Sequence, residues 1–246
     1  MALRFLLAFA AASACGAALA QADIEFSDRR SGIVPSLRLS VDIGGDRTAA
    51  PGPAVPHTGH GIEIGLSGAS AEDSQSVSAG DGPVVFGGRI FAPGELRHEL
   101  DFGFFEVAYR YRHFFGASKV FGIEALGGIG FTSLDLTVSS AAQSASQKLD
   151  NGGLVGGFGI IWKFLPATSL QSRLTLFGSA ETEGVTGAAR MDVHVAHALG
   201  RNAALRAGIV SWGVVSQRAA SDDDDSFNSR IRAGFSGLSL GLDVAF

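Results

Sequence analysis

From Pro35 onward the chain alternates apolar and polar residues over most of its length. Such a period of two is typical of a β-strand with one apolar face and one polar face. The clearest stretches lie at residues 36–44, 61–68, 102–113, 119–138, 153–164, 170–181, 188–199, 203–215 and 236–246. The pattern predicts an all-β fold with no helix of consequence after the first 22 residues.

The first 22 residues follow a different pattern. One arginine precedes an apolar run over residues 5–14, and small residues follow up to Ala22. This order is that of a secretory signal peptide with an A-x-A cleavage site. It predicts a signal peptide over 1–22, cleavage near Ala22, and one β-domain over 23–246. Lipoprotein processing at Cys15, which follows a loose lipobox, is the alternative.

Composition narrows the class of protein. Hydrophobic residues make up 46% of the chain and charged residues only 17%, yet no later apolar run approaches the ~18 residues of a membrane-spanning helix. A helical membrane protein is therefore excluded, whereas apolar residues dispersed at every second position can still face lipid. The 34 glycines concentrate on the polar face of the strands, as a narrow barrel interior requires. No Lys/Arg cluster indicates nucleic-acid binding.

The number of strands is open at this point. Nine stretches qualify as spans, but a closed bacterial barrel has an even number. Residues 84–90 can supply a tenth strand, which we favour. In the alternative, the barrel has eight strands and residues 69–98 form one long loop.

The connections alternate in length along the chain. Residues 115–118, 165–169 and 200–202 are short, whereas 45–59, 139–152 and 216–229 are long and polar. The Ser/Ala-rich stretches 69–82 and 139–147 are typical of solvated loops. Short periplasmic turns with longer outer loops are the arrangement of outer-membrane barrels.

The chain ends on an apolar stripe in the sequence SGLSLGLDVAF. Its apolar positions are Leu238, Leu240, Leu242, Val244 and Phe246. With the signal peptide, this ending resembles the assembly signal of the small Gram-negative outer-membrane β-barrel family, of the OmpA-like/opacity type. The resemblance implies a closed antiparallel up-and-down transmembrane β-barrel in the cell outer membrane. It also implies contact with outer-membrane lipid and lipopolysaccharide, and with the barrel-assembly machinery through the last strand.

Alternation places fourteen charged residues on the inward face. They are Arg38, Asp42, Glu63, Glu106, Arg110, Arg112, Glu124, Lys163, Arg173, Glu181, Arg190, Asp192, Arg206 and Asp243. Seven are basic and seven acidic, and paired charges can satisfy one another in a narrow interior. The balance predicts a lumen plugged by salt bridges. A narrow pore for small solutes is the alternative.

One pair of residues is a candidate for catalysis. Asp192 and His194 share a strand face and could form half of a hydrolase site, similar to the Asp-x-His of the omptin proteases. An ion pair between Asp192 and Arg190 is the other interpretation, which we favour. No histidine is followed two positions later by serine, as a lipid A deacylase requires, and no Gly-x-Ser-x-Gly is present.

Three other features of the sequence bear on a possible site. His57 and His60 have a spacing compatible with a metal, but no third ligand is identifiable. The run 222–225 consists of four aspartates, which favours an extended solvated loop. Near one end of the strands lie the aromatics of a predicted interfacial girdle: Tyr109, Tyr111, Phe114, Phe115, Trp162, Phe164 and Phe246. The sequence thus assigns no catalytic, cofactor-binding or metal residue, and we expect a non-enzymatic barrel with a structural or surface-interaction role.

Overall fold

The structure is a computed structural model, and it describes residues 22–25, 34–45, 58–78, 84–181, 184–200, 203–218 and 229–245. These residues form twelve strands: β1 (Ala22–Glu25), β2 (Ser36–Gly45), β3 (Gly59–Val77), β4 (Val84–Phe86), β5 (Arg89–Phe91), β6 (Gly94–Phe115), β7 (Phe121–Ser139), β8 (Ser144–Leu165), β9 (Thr168–Glu181), β10 (Gly184–Ala198), β11 (Ala203–Arg218) and β12 (Ser229–Ala245). The all-β prediction is confirmed. In the described part of the chain, no helix is long and apolar enough to cross a membrane.

Nine strands form one sheet that closes in a ring. Their order is β2-β3-β6-β7-β8-β9-β10-β11-β12, and successive neighbours are antiparallel. The closing pair, β12 with β2, is parallel, with Leu240 opposite Leu37. An odd number of alternating strands forces this, because the first and last then run in the same direction. The short β1 also pairs in parallel with β12, beside Ser229.

The ring corrects both strand counts that the sequence suggested. The segment expected to supply a tenth spanning strand forms β4 and β5, which, within the described part of the chain, pair with each other as a separate two-stranded sheet. The eight-strand alternative is also wrong, because β2 and β3 both belong to the ring. The assumption of an even number misled the count, since it does not allow for a parallel closing pair.

The register of the ring fixes the tilt of its strands. One row of paired residues runs through Leu39, Ile64, Val107, Ile129, Leu154, Gly178, Gly187, Val215 and Arg232. Leu39, however, is also paired with Leu242, ten residues beyond Arg232. With the usual strand spacing and rise, nine strands and a ten-residue offset give a tilt of about 37° to the ring axis.

The two ends of the ring differ. At the first, which we call the turn end, β6 joins β7 through residues 116–120 and β8 joins β9 through 166–167. At the opposite, extended end, β7 and β8 continue as a hairpin around residues 140–143, and β3 continues to Val77. The predicted loops over 69–82 and 139–152 are therefore mostly strand.

The predicted alternation of short and long connections is also wrong in part. Because Gly45 pairs with Gly59, β2 ends and β3 begins at the turn end, so thirteen residues separate two strands where only short turns were expected. At the extended end, only two residues separate Glu181 of β9 from Gly184 of β10. Loop length alone therefore does not distinguish the two ends.

Large apolar side chains face outward in a continuous band around the ring, which we call the outer belt. Its exposed members include Leu37, Leu66, Tyr109, Phe121, Phe131, Phe158, Trp162, Leu174, Met191, Ile209 and Leu240. On β7 the belt runs from Phe121 to Phe131, and beyond it the outward positions are Ser133, Asp135 and Thr137. The belt thus covers the turn end and middle of the ring, and not the extended end.

Glycines on the inner side let neighbouring strands and large side chains approach closely. A Cβ on Gly65 would lie 2.8 Å from Cγ of Glu106, and one on Gly241 would lie 3.0 Å from Nε of Arg206. A Cβ on Gly128 would lie 2.6 Å from the backbone Cα of Ala108. A side chain at Gly128 would require the strands to shift, whereas one at Gly65 or Gly241 would require the side chain of Glu106 or Arg206 to move.

Two adjacent glycines offer a test of this packing. We expect Gly128→Ala to lower the free energy of unfolding by about 2 kcal/mol or more, because its Cβ meets the backbone of β6. Gly127→Ala should change it by less than about 0.5 kcal/mol, because nothing lies within 4 Å of that Cβ. Urea unfolding of the refolded protein measures both. Equal losses for the two variants would mean that the inner side of β7 is not tightly packed.

Candidate functional site

The interior of the ring holds a network of charged side chains at the level of the outer belt. Six buried arginines and five buried carboxylates belong to it, together with the half-buried Asp42. They are Arg38, Arg110, Arg112, Arg173, Arg190 and Arg206, and Asp42, Glu63, Glu106, Glu124, Asp192 and Asp243. Six guanidinium groups thus face six carboxylates, so the charges of the network balance.

Glu63 on β3 is the hub of this network. Its carboxylate forms ion pairs with three arginines, including Arg38 at 3.0 Å and Arg110 at 3.3 Å. Arg173 reaches it with both terminal nitrogens, one of them at 3.1 Å. The Ser40 hydroxyl donates a further hydrogen bond at 3.2 Å. The three arginines come from β2, β6 and β9, so this one carboxylate links widely separated strands.

Glu124 on β7 is a second shared carboxylate. Nε of Arg112 donates to it at 2.6 Å, and Nε of Arg173 donates at 2.7 Å. Arg110 lies 3.7 Å away. Arg173 therefore bridges Glu63 and Glu124 across the interior.

Asp192 on β10 accepts from two arginines. Its Oδ2 takes hydrogen bonds from Arg38 at 3.0 Å and from Arg190 at 2.9 Å. Arg190 donates in turn to Glu106 at 2.6 Å. These contacts connect β2, β6 and β10, so the network crosses the ring from wall to wall.

Near the turn end the network includes Arg206 and Asp243. Arg206 donates to Ser40 at 3.0 Å and lies 3.2 Å from Asp243. Arg110 forms an ion pair with Asp42 and lies 3.6 Å from Asp243. The carboxylates of β2 and β12, the two strands of the closing pair, are thus joined through one arginine.

Two of the fourteen predicted lumenal residues are not in this network. Lys163 is half-buried, and its ammonium lies 3.8 Å from the centre of the Phe114 ring. The side chain of Glu181 lies outside the described residues. Phe114 is itself a correction to the aromatic girdle, because it points inward and is only 4% exposed. Its even number places it on the same face of β6 as Arg110 and Arg112.

An aromatic cluster lies directly against the charged network on the side of the extended end. Trp212 packs edge-on against Phe102 and Phe104, with ring centres 5.1 and 4.8 Å apart. Phe104 also packs edge-on against Phe177 at 5.6 Å, and Phe102 stacks on Phe235 at 5.6 Å. This cluster was not predicted from the sequence, although its members occupy inward positions of their strands.

The Arg190 guanidinium marks the boundary between the two layers. It lies 5.2 Å from the centre of the Trp212 ring and 6.0 Å from that of Phe104. This arrangement combines salt bridges on one side with a cation–π contact on the other.

Beyond the aromatic cluster the interior is aliphatic and is covered by the β4–β5 hairpin. Leu96, Leu100, Leu134, Leu136 and Val138 are all at most 1% exposed. Phe86 and Phe91 of the hairpin are buried in the same cluster. Gln143 in the β7–β8 turn donates to the carbonyl of Ile90 at 2.5 Å, which ties the hairpin to the wall. Buried side chains therefore occupy the described interior from Phe114 near the turn end to the hairpin at the extended end.

The structure does not assemble the candidate hydrolase pair. Asp192 is fully buried and engaged by Arg38 and Arg190. His194 is also buried, and its Nε2 lies 3.1 Å from Oε1 of Gln171, not against Asp192. Both side chains are thus buried and contact partners other than each other.

The remaining sequence candidates lie on the outer wall or outside the described residues. Leu238, Leu240 and Leu242 face outward in the outer belt, Val244 is half-buried, and Phe246 is not described. His60 is exposed, its Nδ1 contacts the Tyr109 hydroxyl, and His57 is not described. No group of three or more potential metal ligands occurs among the described residues, and residues 222–225 lie outside them.

Comparison with known proteins adds no family assignment. No protein-family model, no curated protein and no solved structure matches the chain.

Proposed function

We propose that the chain is an integral outer-membrane β-barrel with a sealed interior, and that it serves envelope structure or surface interaction. In this proposal the outer belt faces lipid and the charged network fills the barrel at membrane depth. The extended end projects from the membrane into water. The barrel is not an enzyme and carries no cofactor.

The height of the outer belt supports a membrane span. On β7 the belt covers the eleven positions from Phe121 to Phe131. A tilted strand needs about 9–11 residues to cross the hydrocarbon layer. The tilt of about 37° also falls in the 35–45° range of outer-membrane barrels. The belt height follows from side-chain exposure and the tilt follows from strand register. Both values suit a single crossing of a bilayer.

The inversion of polarity along the strands is the observation that carries the proposal. Within the belt, apolar residues face outward and arginines and carboxylates face inward. Beyond it, β7 turns Ser133, Asp135 and Thr137 outward, while Leu134, Leu136 and Val138 are buried. The belt, with its apolar outer face, suits a lipid environment. The strand segments beyond the belt, with their polar outer face, suit water, so the outer wall contacts both lipid and water. A soluble barrel would leave the belt exposed to water, which is costly.

The resemblance of the C-terminal stripe supports the orientation. In that family the last strand ends in the periplasm, which places the turn end there and the extended end outside the cell. Exposed Tyr109, Tyr111, Phe121 and Trp162 then lie near the periplasmic interface, where aromatic residues are enriched. The barrel would present the β7–β8 hairpin and the neighbouring strands to the surroundings.

A sealed interior argues against the narrow-pore alternative. Ions would have to cross a layer of buried, paired charges and then a layer of buried aromatic rings. Asp192 accepts hydrogen bonds from Arg38 and Arg190, and His194 contacts Gln171. These contacts argue against a barrel-embedded hydrolase. A structural or surface-interaction role is the function that remains.

Cell fractionation and bilayer recording together test this function. We expect the protein in the outer-membrane fraction, with mobility in detergent gels that changes on boiling, because a closed sheet with paired backbone groups resists detergent. Refolded protein in a planar bilayer should show no steady conductance. Recovery from the soluble periplasm would overturn the membrane assignment, whereas steady single-channel currents would overturn the sealed interior and favour the pore.

Deletion of Phe246 tests the assembly signal separately. We expect the truncated chain to reach the outer membrane in clearly lower amount at modest expression, because it loses the last aromatic of the C-terminal stripe. Immunoblots of outer-membrane fractions measure this. Phe246→Tyr, which keeps an aromatic residue at this position, is the control and should reach the outer membrane in the normal amount. Unchanged levels after loss of Phe246 would contradict a role for this residue in assembly.

A further inference from the structure

Within the described residues, one side of β3 has no strand partner at the extended end. On its other side, β3 pairs with β6 along its whole length, up to Val77 opposite Gly94. Its pairing with β2 ends at Ser67, and beyond that point no described strand pairs with this side of β3. Residues 69–77 therefore present a free strand edge beyond the outer belt, which we call the β3 edge.

The backbone of the β3 edge offers hydrogen-bonding groups at every second residue. The Gly68 N–H donates to the Pro35 carbonyl at 3.1 Å, on the side of β2. Backbone groups alternate in direction along a strand, so every second residue beyond Gly68 directs its N–H and C=O to this side. These residues are Ser70, Glu72, Ser74 and Ser76. The Ser74 N–H donates to the Asp73 carboxylate at 2.8 Å, which is consistent with a direction away from β6.

The wall of the ring is incomplete beside the β3 edge. The described strand β1 pairs with β12 and lies near β4, but it does not pair with β3. Gln75 occupies an inward position and is nevertheless exposed. Its register partner on β6, Leu96, is only 1% exposed. An inward side chain of β3 thus reaches solvent where the neighbouring strand is covered.

The outer face next to the β3 edge is acidic. Beyond the belt, the described outward positions of β3, β6, β7 and β8 carry two cations and six carboxylates: Glu72, Glu95, Glu99, Asp101, Asp135 and Asp150. The two cations are already paired, Arg97 with Glu72 at 2.6 Å and Lys148 with Asp150 at 3.1 Å. The other four carboxylates have no ion-pair partner among the described residues.

We propose that the β3 edge binds an extended segment of another protein, rich in lysine or arginine, as an added strand antiparallel to β3. The inference rests on the proposed function, because it names the class of partner for the surface-interaction role. A row of alternating N–H and C=O groups is matched by the backbone of another strand. A lysine or arginine on the outer side of that strand would lie beside Glu72, or would reach Asp101 across the short side chain of Ser70.

Charge favours a basic strand over the other possible occupants. A strand with carboxylates at its outer positions would place like charges beside Glu72, which is destabilising between neighbouring strands. A second copy of the β3 edge would bring two acidic faces together. A basic strand instead forms opposite-charge pairs with carboxylates that have no cation of their own.

Amide hydrogen exchange of the refolded protein in detergent micelles, measured by NMR, tests whether the edge is free. We expect rapid exchange at Ser70, Glu72 and Ser76, and slow exchange at the odd-numbered residues between them, whose N–H groups face β6. A short peptide in which lysine alternates with threonine should slow exchange at the first three positions. Slow exchange there without peptide would show that the edge is already occupied, by this chain or by a second copy, and would overturn the inference.

Two substitutions at Ser74 test whether the contact is made by the backbone. Ser74→Pro removes an N–H that faces the edge and none that faces β6, and edge strands accept proline. We expect it to weaken binding of the lysine peptide about tenfold or more. Ser74→Ala is the matched control, because it keeps the N–H, and it should bind like the wild type. A peptide with glutamate in place of lysine should bind at least about tenfold more weakly than the lysine peptide.

The outcomes separate this inference from the proposed function. Equal binding by Ser74→Pro and Ser74→Ala, or equal affinity for the lysine and glutamate peptides, would overturn the strand-addition site while leaving the membrane assignment intact. Recovery of the wild-type protein from the soluble periplasm would overturn the proposed function, whether or not the peptide binds.

Discussion

Glu63→Gln should lower the free energy of unfolding by about 3–5 kcal/mol, or prevent refolding altogether. The substitution removes the negative charge to which Arg38, Arg110 and Arg173 are paired. All three guanidinium groups are buried, so they cannot recover this loss from solvent. Urea unfolding of protein refolded into lipid vesicles measures the effect.

Glu72→Gln is the control for Glu63→Gln. It makes the same chemical change on the same strand, and Glu72 also pairs with an arginine, Arg97, at 2.6 Å. That pair is exposed, and such pairs are worth about 0.2–1 kcal/mol. A loss of similar size in both variants would mean that the buried network does not hold the strands together.

Ala125→Arg should be the second severe substitution. Ala125 is an exposed outward position at the centre of the belt on β7. An arginine on the lipid face at mid-membrane costs about 2–4 kcal/mol. Ala125→Leu, which adds bulk without charge, should be neutral or slightly stabilising. The difference between the two variants in unfolding free energy in vesicles gives the cost of the charge alone, and a difference near zero would place this position in water.

The alternation of apolar and polar residues alone predicts which side chains face inward and which face outward, because a strand has only two faces. It places Arg38, Glu63 and Arg173 on the side opposite the belt leucines, and the structure has them buried together. It does not reveal that Arg173 contacts both Glu63 and Glu124. Those contacts join residues 110 and 49 positions apart in the chain, and they depend on the order and register of distant strands.

Other features could not be predicted from the sequence because they depend on contacts between segments that are distant in the chain. The Ser/Ala-rich residues around 139–147 look like a loop, yet most are strand. Leu134, Leu136 and Val138 beside them pack into the aliphatic interior, which provides tertiary support that local composition does not report. The parallel closing pair was not predicted because it joins β2 and β12, which lie far apart in the chain. The aromatic cluster escaped because Phe104 and Trp212 are 108 positions apart and become neighbours only when the ring closes.

The central claim is that the outer belt faces lipid, and the depth of a fluorescent label tests it most directly. The only cysteine of the sequence, Cys15, lies in the predicted signal peptide, so the chain from Asp23 onward can carry a single introduced cysteine. Ile160→Cys and Ser146→Cys would attach an environment-sensitive dye to two exposed outward positions of β8. Quenching by lipids spin-labelled along their acyl chains is then compared with quenching by iodide in water. We predict that the dye at position 160 is quenched by the lipids and shielded from iodide, and that the dye at position 146 behaves in the opposite way. Iodide quenching of both positions would contradict the account.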